Sequence, residues 1–267
     1  MRLVRANVRK LVRRPATWVT FLLLLALLGL IYLALIASTQ QPQNAEAGLA
    51  ARAVVTFPGA YTSTVALVLG IGGLLAVTYG GAIAGSEWTW GTLKAAVARG
   101  ESRTRYTVLG FVATALIVIV GFLAAFVVGV LLAAGGAILL NVPLTGMTDS
   151  DALTKFPELF GRASLALSMD AALGFAIATI ARSQLAGIGV GIGVYFFEGI
   201  AGAFLPEVFK WFPFAAASAV VASDSSVNNG PAGARLDPDP AVIVVLVWLV
   251  VALTVSSLWT ERAEIAG

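Results

Sequence analysis

Two carboxylates stand inside otherwise apolar runs of this chain, Asp170 and Glu198. An acid in hydrocarbon is costly and usually faces a cavity or a partner. The pair offers a polar element of a translocation path, suited to a cationic or hydrogen-bonding solute. The plainer alternative is an outer-vestibule position, hydrated or paired with Arg162 or Lys155. Chain arithmetic puts the acids at matching depth. The short hinge Arg182-Ser183-Gln184 joins the two runs, and each acid lies 14 residues from Gln184. Regular helix would place both about 20 Å from the hinge. A second concentration of chemistry is the segment 85–106, GSEWTWGTLKAAVARGESRTRY. Glu87 ends an apolar run, and Trp88 and Trp90 suit the headgroup level of a bilayer. Gly91 and Thr92 open a stretch from Leu93 to Ala98 able to form an amphipathic surface helix, and Arg99, Arg103 and Arg105 close it.

What is missing narrows the chemistry. The chain has no cysteine and no histidine, which removes disulfides, thiolate nucleophiles and His-based metal sites. Met1, Met147 and Met169 are the only soft ligands, so no metal site is expected. A serine-type intramembrane hydrolase lacks a histidine base, and an aspartyl type lacks a second intramembrane aspartate. A phosphate-binding loop needs a Gly-rich turn and Lys followed by Ser or Thr. Lys10, Lys94, Lys155 and Lys210 all lack that setting, so no ATP hydrolysis is expected here. The run from Gly187 to Gly193 follows no strand and is no dinucleotide site. Gly187/Gly191 and Gly189/Gly193 instead form small-xxx-small pairs, which permit close helix approach, to an intrachain neighbour or to a second protomer. Gly70, Gly72, Gly73, Gly80 and Gly81 supply similar material.

The elements that must position these residues are membrane spans. Of 267 residues 59% are hydrophobic and 12% charged, far from the surface polarity of a soluble domain. Apolar runs of about 20 residues match the hydrocarbon thickness, and lack of alternation favours helices over a barrel. Spans are expected near 17–37, 61–84, 107–140, 162–181, 185–204 and 241–259, with a break at Gly135-Gly136 because the third is too long. The loop 38–58 carries Gln40, Gln41, Pro42, Gln43 and Asn44. The loop 141–161 carries Asp149, Asp151 and Glu158. The segment 205–239 carries Pro206, Pro213, Pro231 and Pro238. Residues 1–15 precede the first span, which is too long for a signal-peptide core. Arg2, Arg5, Arg9 and Arg13 share one helical face there; Val4, Val8, Leu11 and Val12 share the other. That pattern suits an interfacial helix on anionic lipid. With the N-terminus inside, twelve Lys and Arg fall on the cytoplasmic side and five outside, which orients the chain with both termini in the cytoplasm. Nucleic-acid binding is not expected, since the basic residues flank apolar spans.

GSEWTWGTLKAAVARGESRTRYTVLGF resembles the hallmark segment of ABC-2-type transporter permeases: a small residue, an acid, variable positions, Gly-Thr-Leu, an Arg-containing turn and the start of helix 3. VRKLVRRPATWVTFLL resembles that family's interfacial elbow helix leading into helix 1. WFPFAAASAV resembles its proline-centred segment between helices 5 and 6. The layout covers the whole chain, and the specific motifs about a fifth of it. Trp88 and Trp90, between the acid and Gly91, depart from commoner members.

The resemblance implies an all-α integral membrane fold, with six transmembrane helices after an elbow helix. It also implies a single permease domain over 1–267, with a coupling loop at 85–106 and an extracytoplasmic re-entrant or loop segment at 205–239. Glu87, Gly91, Thr92, Leu93, Arg99 and Arg103 would couple to a separate cytoplasmic ATPase that holds ATP and Mg. The elbow helix would share that contact, and a second permease protomer, identical or paralogous, would complete the path in a prokaryotic plasma membrane. An ATP-independent secondary transporter or channel using Asp170 and Glu198 is the competing reading, and a scaffold without transport is a third.

Overall fold

The computed structural model describes residues 2–39, 45–221 and 235–263. Gln40, Gln41, Pro42, Gln43, Asn44 and Pro231 lie outside the described residues, and of Arg2 only the backbone is described. Every regular element among the described residues is helical. In chain order they are α1 (Arg2–Val12), α2 (Pro15–Ser38), α3 (Ala45–Val55), α4 (Gly59–Thr89), α5 (Thr92–Ala98) and α6 (Arg103–Leu139). After a single 3-10 turn at Thr145–Thr148 come α7 (Ser150–Ala181), α8 (Gln184–Phe204), α9 (Pro206–Phe209), α10 (Pro213–Ala219) and α11 (Pro238–Arg262). Six of these, α2, α4, α6, α7, α8 and α11, are long and apolar enough to cross a membrane.

Local sequence explains the helix starts. Pro15, Pro206, Pro213 and Pro238 each occupy a first-turn position, where the missing N–H costs nothing. Asp149 caps α7 by accepting from the N–H groups of Asp151 and Ala152, both at 3.0 Å. Ser102 and Ser183 cap α6 and α8 in the same way, each satisfying one orphan donor. The hinge between α7 and α8 is as short as its sequence suggests. Arg182 takes a left-handed conformation at φ 52°, and Ser183 restarts the helix.

Several boundaries differ from the sequence expectation. α4 runs through Glu87 to Thr89 and α6 starts at Arg103, so the connection is 90–102, not 85–106. α6 has no break at Gly135-Gly136. Its 37 residues span about 55 Å at 1.5 Å each, beyond the roughly 30 Å of hydrocarbon. Its polar first turn therefore projects past the apolar layer. More than half of the expected loop 141–161 is helical, because the Asp149 cap starts α7 before Pro157.

The centre of the bundle is the α4–α7 pair. Glycine makes it close: a Cβ at Gly80 would overlap the Ala171 carbonyl, and one at Gly174 would overlap that of Val77. Gly72 also faces Leu167 of α7. Such small-residue contacts let backbones approach where lipid offers no hydrophobic drive. α8 packs on α4 by the same device. Gly187 lies against Ala178 and Gly81, and Gly191 against Val77. That pair is thus used within the chain and is not available to a second protomer. Gly189 and Gly193 are exposed, with open space around them.

Candidate functional site

One end of the bundle collects α1, the last turn of α4, α5, the first turn of α6, the α7–α8 hinge and the end of α11. The carboxylate of Glu87 is its focus. Glu87 is the sole acid between positions 47 and 100, and α1 with its exit turn brings six cations into the first 14 residues. Two of them reach it. Lys10 Nζ donates to Oε1 at 2.6 Å and to Oε2 at 2.8 Å, and Arg14 Nη2 donates to Oε1 at 2.9 Å. The hydroxyls of Thr92 and Tyr106 donate to Oε2 at 2.5 and 2.7 Å. Glu87 therefore accepts from α1, the α1–α2 turn, α5 and α6 at once. Only 15% of its side chain is exposed, so the carboxylate is an internal organiser and not a surface contact.

The surrounding residues extend the node. Arg14 also donates to Ser86 Oγ at 2.6 Å and lies 4.8 Å from the centre of the Trp90 ring. Its guanidinium thus has both a bidentate-type role and an aromatic face. Arg182 lies 5.3 Å over the Trp88 ring, which ties the α7–α8 hinge to the end of α4. Arg103 donates to the carbonyls of Glu261 and Ala263 at 2.9 and 2.8 Å, satisfying orphan acceptors at the end of α11. Thr104 bonds the Glu261 carboxylate. Through these contacts every spanning helix is joined at one end, α2 by way of Arg14, its N-cap.

The predicted residues of the segment separate into two groups. Glu87, Thr92, Leu93 and Arg103 are turned inward; Leu93 is 3% exposed and anchors α5. Gly91 holds φ +65° with open space where a Cβ would be, so conformation and not crowding selects glycine there. Arg99 is exposed, as are Arg105 and Trp90. Arg5 and Arg9 on α1 and Arg13 in its exit turn are exposed, whereas Val8 and Leu11 pack with Tyr79, Ile83 and Ala113. Val12 departs from the expected apolar face and is exposed. Lys10, Arg14, Ser86, Tyr106 and Arg182 belong to the node although sequence reasoning gave them no role. The signal was present in part: Lys10 lies on the side of α1 that also carries Asn7 and Leu11, and Arg14 follows in the exit turn.

Asp170 and Glu198 lie deeper and come from α7 and α8. They are 2% and 4% exposed. Asp170 packs against Gly73, where a Cβ would sit 2.9 Å from Oδ2, with the Tyr195 ring beside it. Glu198 Oε1 accepts from the Ala215 N–H at 2.5 Å. Asp170 Oδ1 and Glu198 Oε2 have no hydrogen-bond partner. Arg162 is engaged elsewhere, with Glu158 and Asp239 at 2.6 Å, and Lys155 is exposed. Among the described residues neither acid pairs with those cations, and both are buried. Of the segment 205–239, Pro206–Phe209 and Pro213–Ala219 fold into α9 and α10, and Pro238 begins α11; residues 222–234 lie outside the described residues. Among the described residues no group of three or more His, Cys, Asp or Glu could hold a metal ion.

Residues 54–266 match the family described as Protein of unknown function (DUF2705), and the chain belongs to that family. No curated protein matches it.

Proposed function

We propose that this DUF2705 protein is the permease subunit of an ATP-driven exporter, working as a dimer and docking a separate cytoplasmic ATPase at the α1–α5 end. The observation that carries the reading is the Glu87 node. A short helix, α5, is held off the end of α4 by Gly91 and bonded back to it through Thr92 and Glu87. Exposed Arg99 and Arg105 flank it and offer a basic ridge to an acidic partner surface. Force applied to α5 reaches α4 and α6 through the carboxylate, α2 through Arg14, and α11 through Arg103. Rigid-body motion of a docked partner is thereby transmitted to whole helices. In this reading α1 lies in the cytoplasmic membrane interface, both termini face the cytoplasm, and ATP and Mg are held by the partner. The chain supplies path and coupling, with no catalytic residue.

The test is retrieval of the partner. Tagged chain purified from its native prokaryotic membranes in mild detergent should carry a soluble ATPase in stoichiometric amount. Arg99→Glu should release it with expression unchanged. Purification of the chain without any nucleotide-hydrolysing subunit would refute the exporter reading.

A second reading has its own observation. Two buried acids without a cation partner are what an ATP-independent secondary transporter or channel would use. Proton- or cation-driven flux through the isolated chain in vesicles, abolished by Asp170→Asn with Glu198→Gln, would favour it.

A further inference from the structure

An apolar groove of about 230 Å³ runs between α2, α4 and α6. Its walls include Trp18, Phe21, Tyr79, Gly121, Phe122 and Leu167. The hydroxyls of Thr17 and Tyr79 on the wall are consumed locally. Thr17 donates to the Leu11 carbonyl at 2.7 Å, which leaves its hydroxyl oxygen to accept from Tyr79 at 2.9 Å. Nothing in that pair asks for a polar guest. The lining residues cover positions 17 to 24 of α2, 72 to 79 of α4 and 117 to 124 of α6, about 10 Å of depth on each helix at 1.5 Å per residue. The groove is therefore a slot running along the helices from the α1 corner toward the middle of the bundle. That is the shape of an extended hydrocarbon segment.

The mouth of the slot has a distinct charge. Val12, the last residue of α1, lines it, and Trp18 closes the corner by donating Nε1–H to the Val12 carbonyl at 2.9 Å. Arg9 lies one turn before Val12 on α1, Arg13 follows it in the exit turn, and both are exposed. Their neighbours Lys10 and Arg14 are instead engaged by the Glu87 carboxylate. Among the described residues no acid pairs with Arg9 or Arg13. An apolar slot thus opens beside two uncompensated guanidinium groups, which are suited to bind phosphate oxygens.

We propose that this slot is a specific site for one anionic phospholipid, its acyl chain along the wall formed by Trp18, Phe21, Tyr79 and Phe122 and its phosphate on Arg9 and Arg13. The proposal rests on the interfacial placement of α1 and not on the exporter reading. The site gives the α1 corner a lipid-dependent brace, since the same lipid touches α1, α2, α4 and α6.

The experiment uses the full chain in vesicles of equal phosphatidylglycerol and phosphatidylethanolamine, followed by gentle extraction and native mass spectrometry. One phosphatidylglycerol per chain should survive, preferred over phosphatidylethanolamine roughly tenfold or more, as two nearby arginines imply. Gly121→Phe fills the slot and should abolish retention. Ala124→Trp on the same wall gives the same test should the first variant not fold. Arg9→Ala with Arg13→Ala should keep the chain folded and remove the headgroup preference. A spin label at Arg5→Cys should report headgroup depth. A label in bulk water would overturn the placement of α1 and the proposal with it. A label at headgroup depth would overturn the proposal alone if no lipid is retained, if the two lipids are retained equally, or if both filled variants keep theirs.

Discussion

Replacing Glu87 by Gln removes the charge at the centre of the node while keeping its shape. The carboxylate accepts five hydrogen bonds from four side chains. Gln keeps a single acceptor oxygen and turns an NH₂ toward donors it cannot serve. Lys10 and Arg14 are left without a counter-charge at side-chain exposures of 33% and 10%. Breaking one side of a buried pair costs about 3–5 kcal/mol. Lys10 can turn to water, so the expected loss is lower, about 2–4 kcal/mol, most of it from Arg14 and the Thr92 and Tyr106 bonds. The coupling is more diagnostic than the total. Arg14→Met in the Glu87→Gln background removes the stranded cation, so the double mutant should be less destabilised than the sum of the singles by about 1–3 kcal/mol. Equilibrium unfolding in mixed micelles of mild detergent and dodecyl sulfate measures both quantities. Hydrogen exchange over 92–98 should rise in Glu87→Gln before global unfolding, because Thr92 loses its anchor. A loss below about 0.5 kcal/mol, or strict additivity of the two substitutions, would refute the node as a coupled unit.

Other substitutions separate local from tertiary causes. Gly91→Ala should cost about 1 kcal/mol through its left-handed backbone alone, and Gly91→Asn less, in the same unfolding assay. Gly80→Ala pushes a methyl into the Ala171 carbonyl and should abolish the folded, monodisperse species on size exclusion, whereas Gly193→Ala, in open space, should leave monomer stability within about 0.5 kcal/mol. Asp170→Asn should leave unfolding stability unchanged or higher, since Oδ1 has no partner to lose; a loss above about 1 kcal/mol would reveal a bonded carboxylate.

Much of the fold was legible because hydropathy is a local sum. Six long apolar runs identified the spans to within a few residues at most ends, and Arg182-Ser183 marked the α7–α8 hinge through turn and cap chemistry that acts within four residues. The errors also have local explanations. Polar residues at Gly85–Thr89 and Ser150–Gly161 read as loops, yet caps and packing carry helices through them. Gly135-Gly136 read as a break, yet Gly136 fits against Ile36 and Val55, and α6 runs unbroken through the pair.

The sequence by itself determined that the chain is helical, that it is apolar enough for six membrane crossings, and that its chemistry excludes thiols and imidazoles. It also located the polar segment after the second span, because charge, glycine and tryptophan are concentrated there. Tertiary structure decided how those residues are used. Glu87 is 77 residues from Lys10, and no periodicity records that distance. Only the packing of α1 across the end of α4 made the acid an internal hub, left Arg99 outside it, and assigned Gly187 and Gly191 to the chain's own core. Burial of Asp170 beneath Gly73 and Tyr195 was likewise decided by helix contact, since a side chain's cost in a membrane depends on what surrounds it and not on its neighbours in sequence.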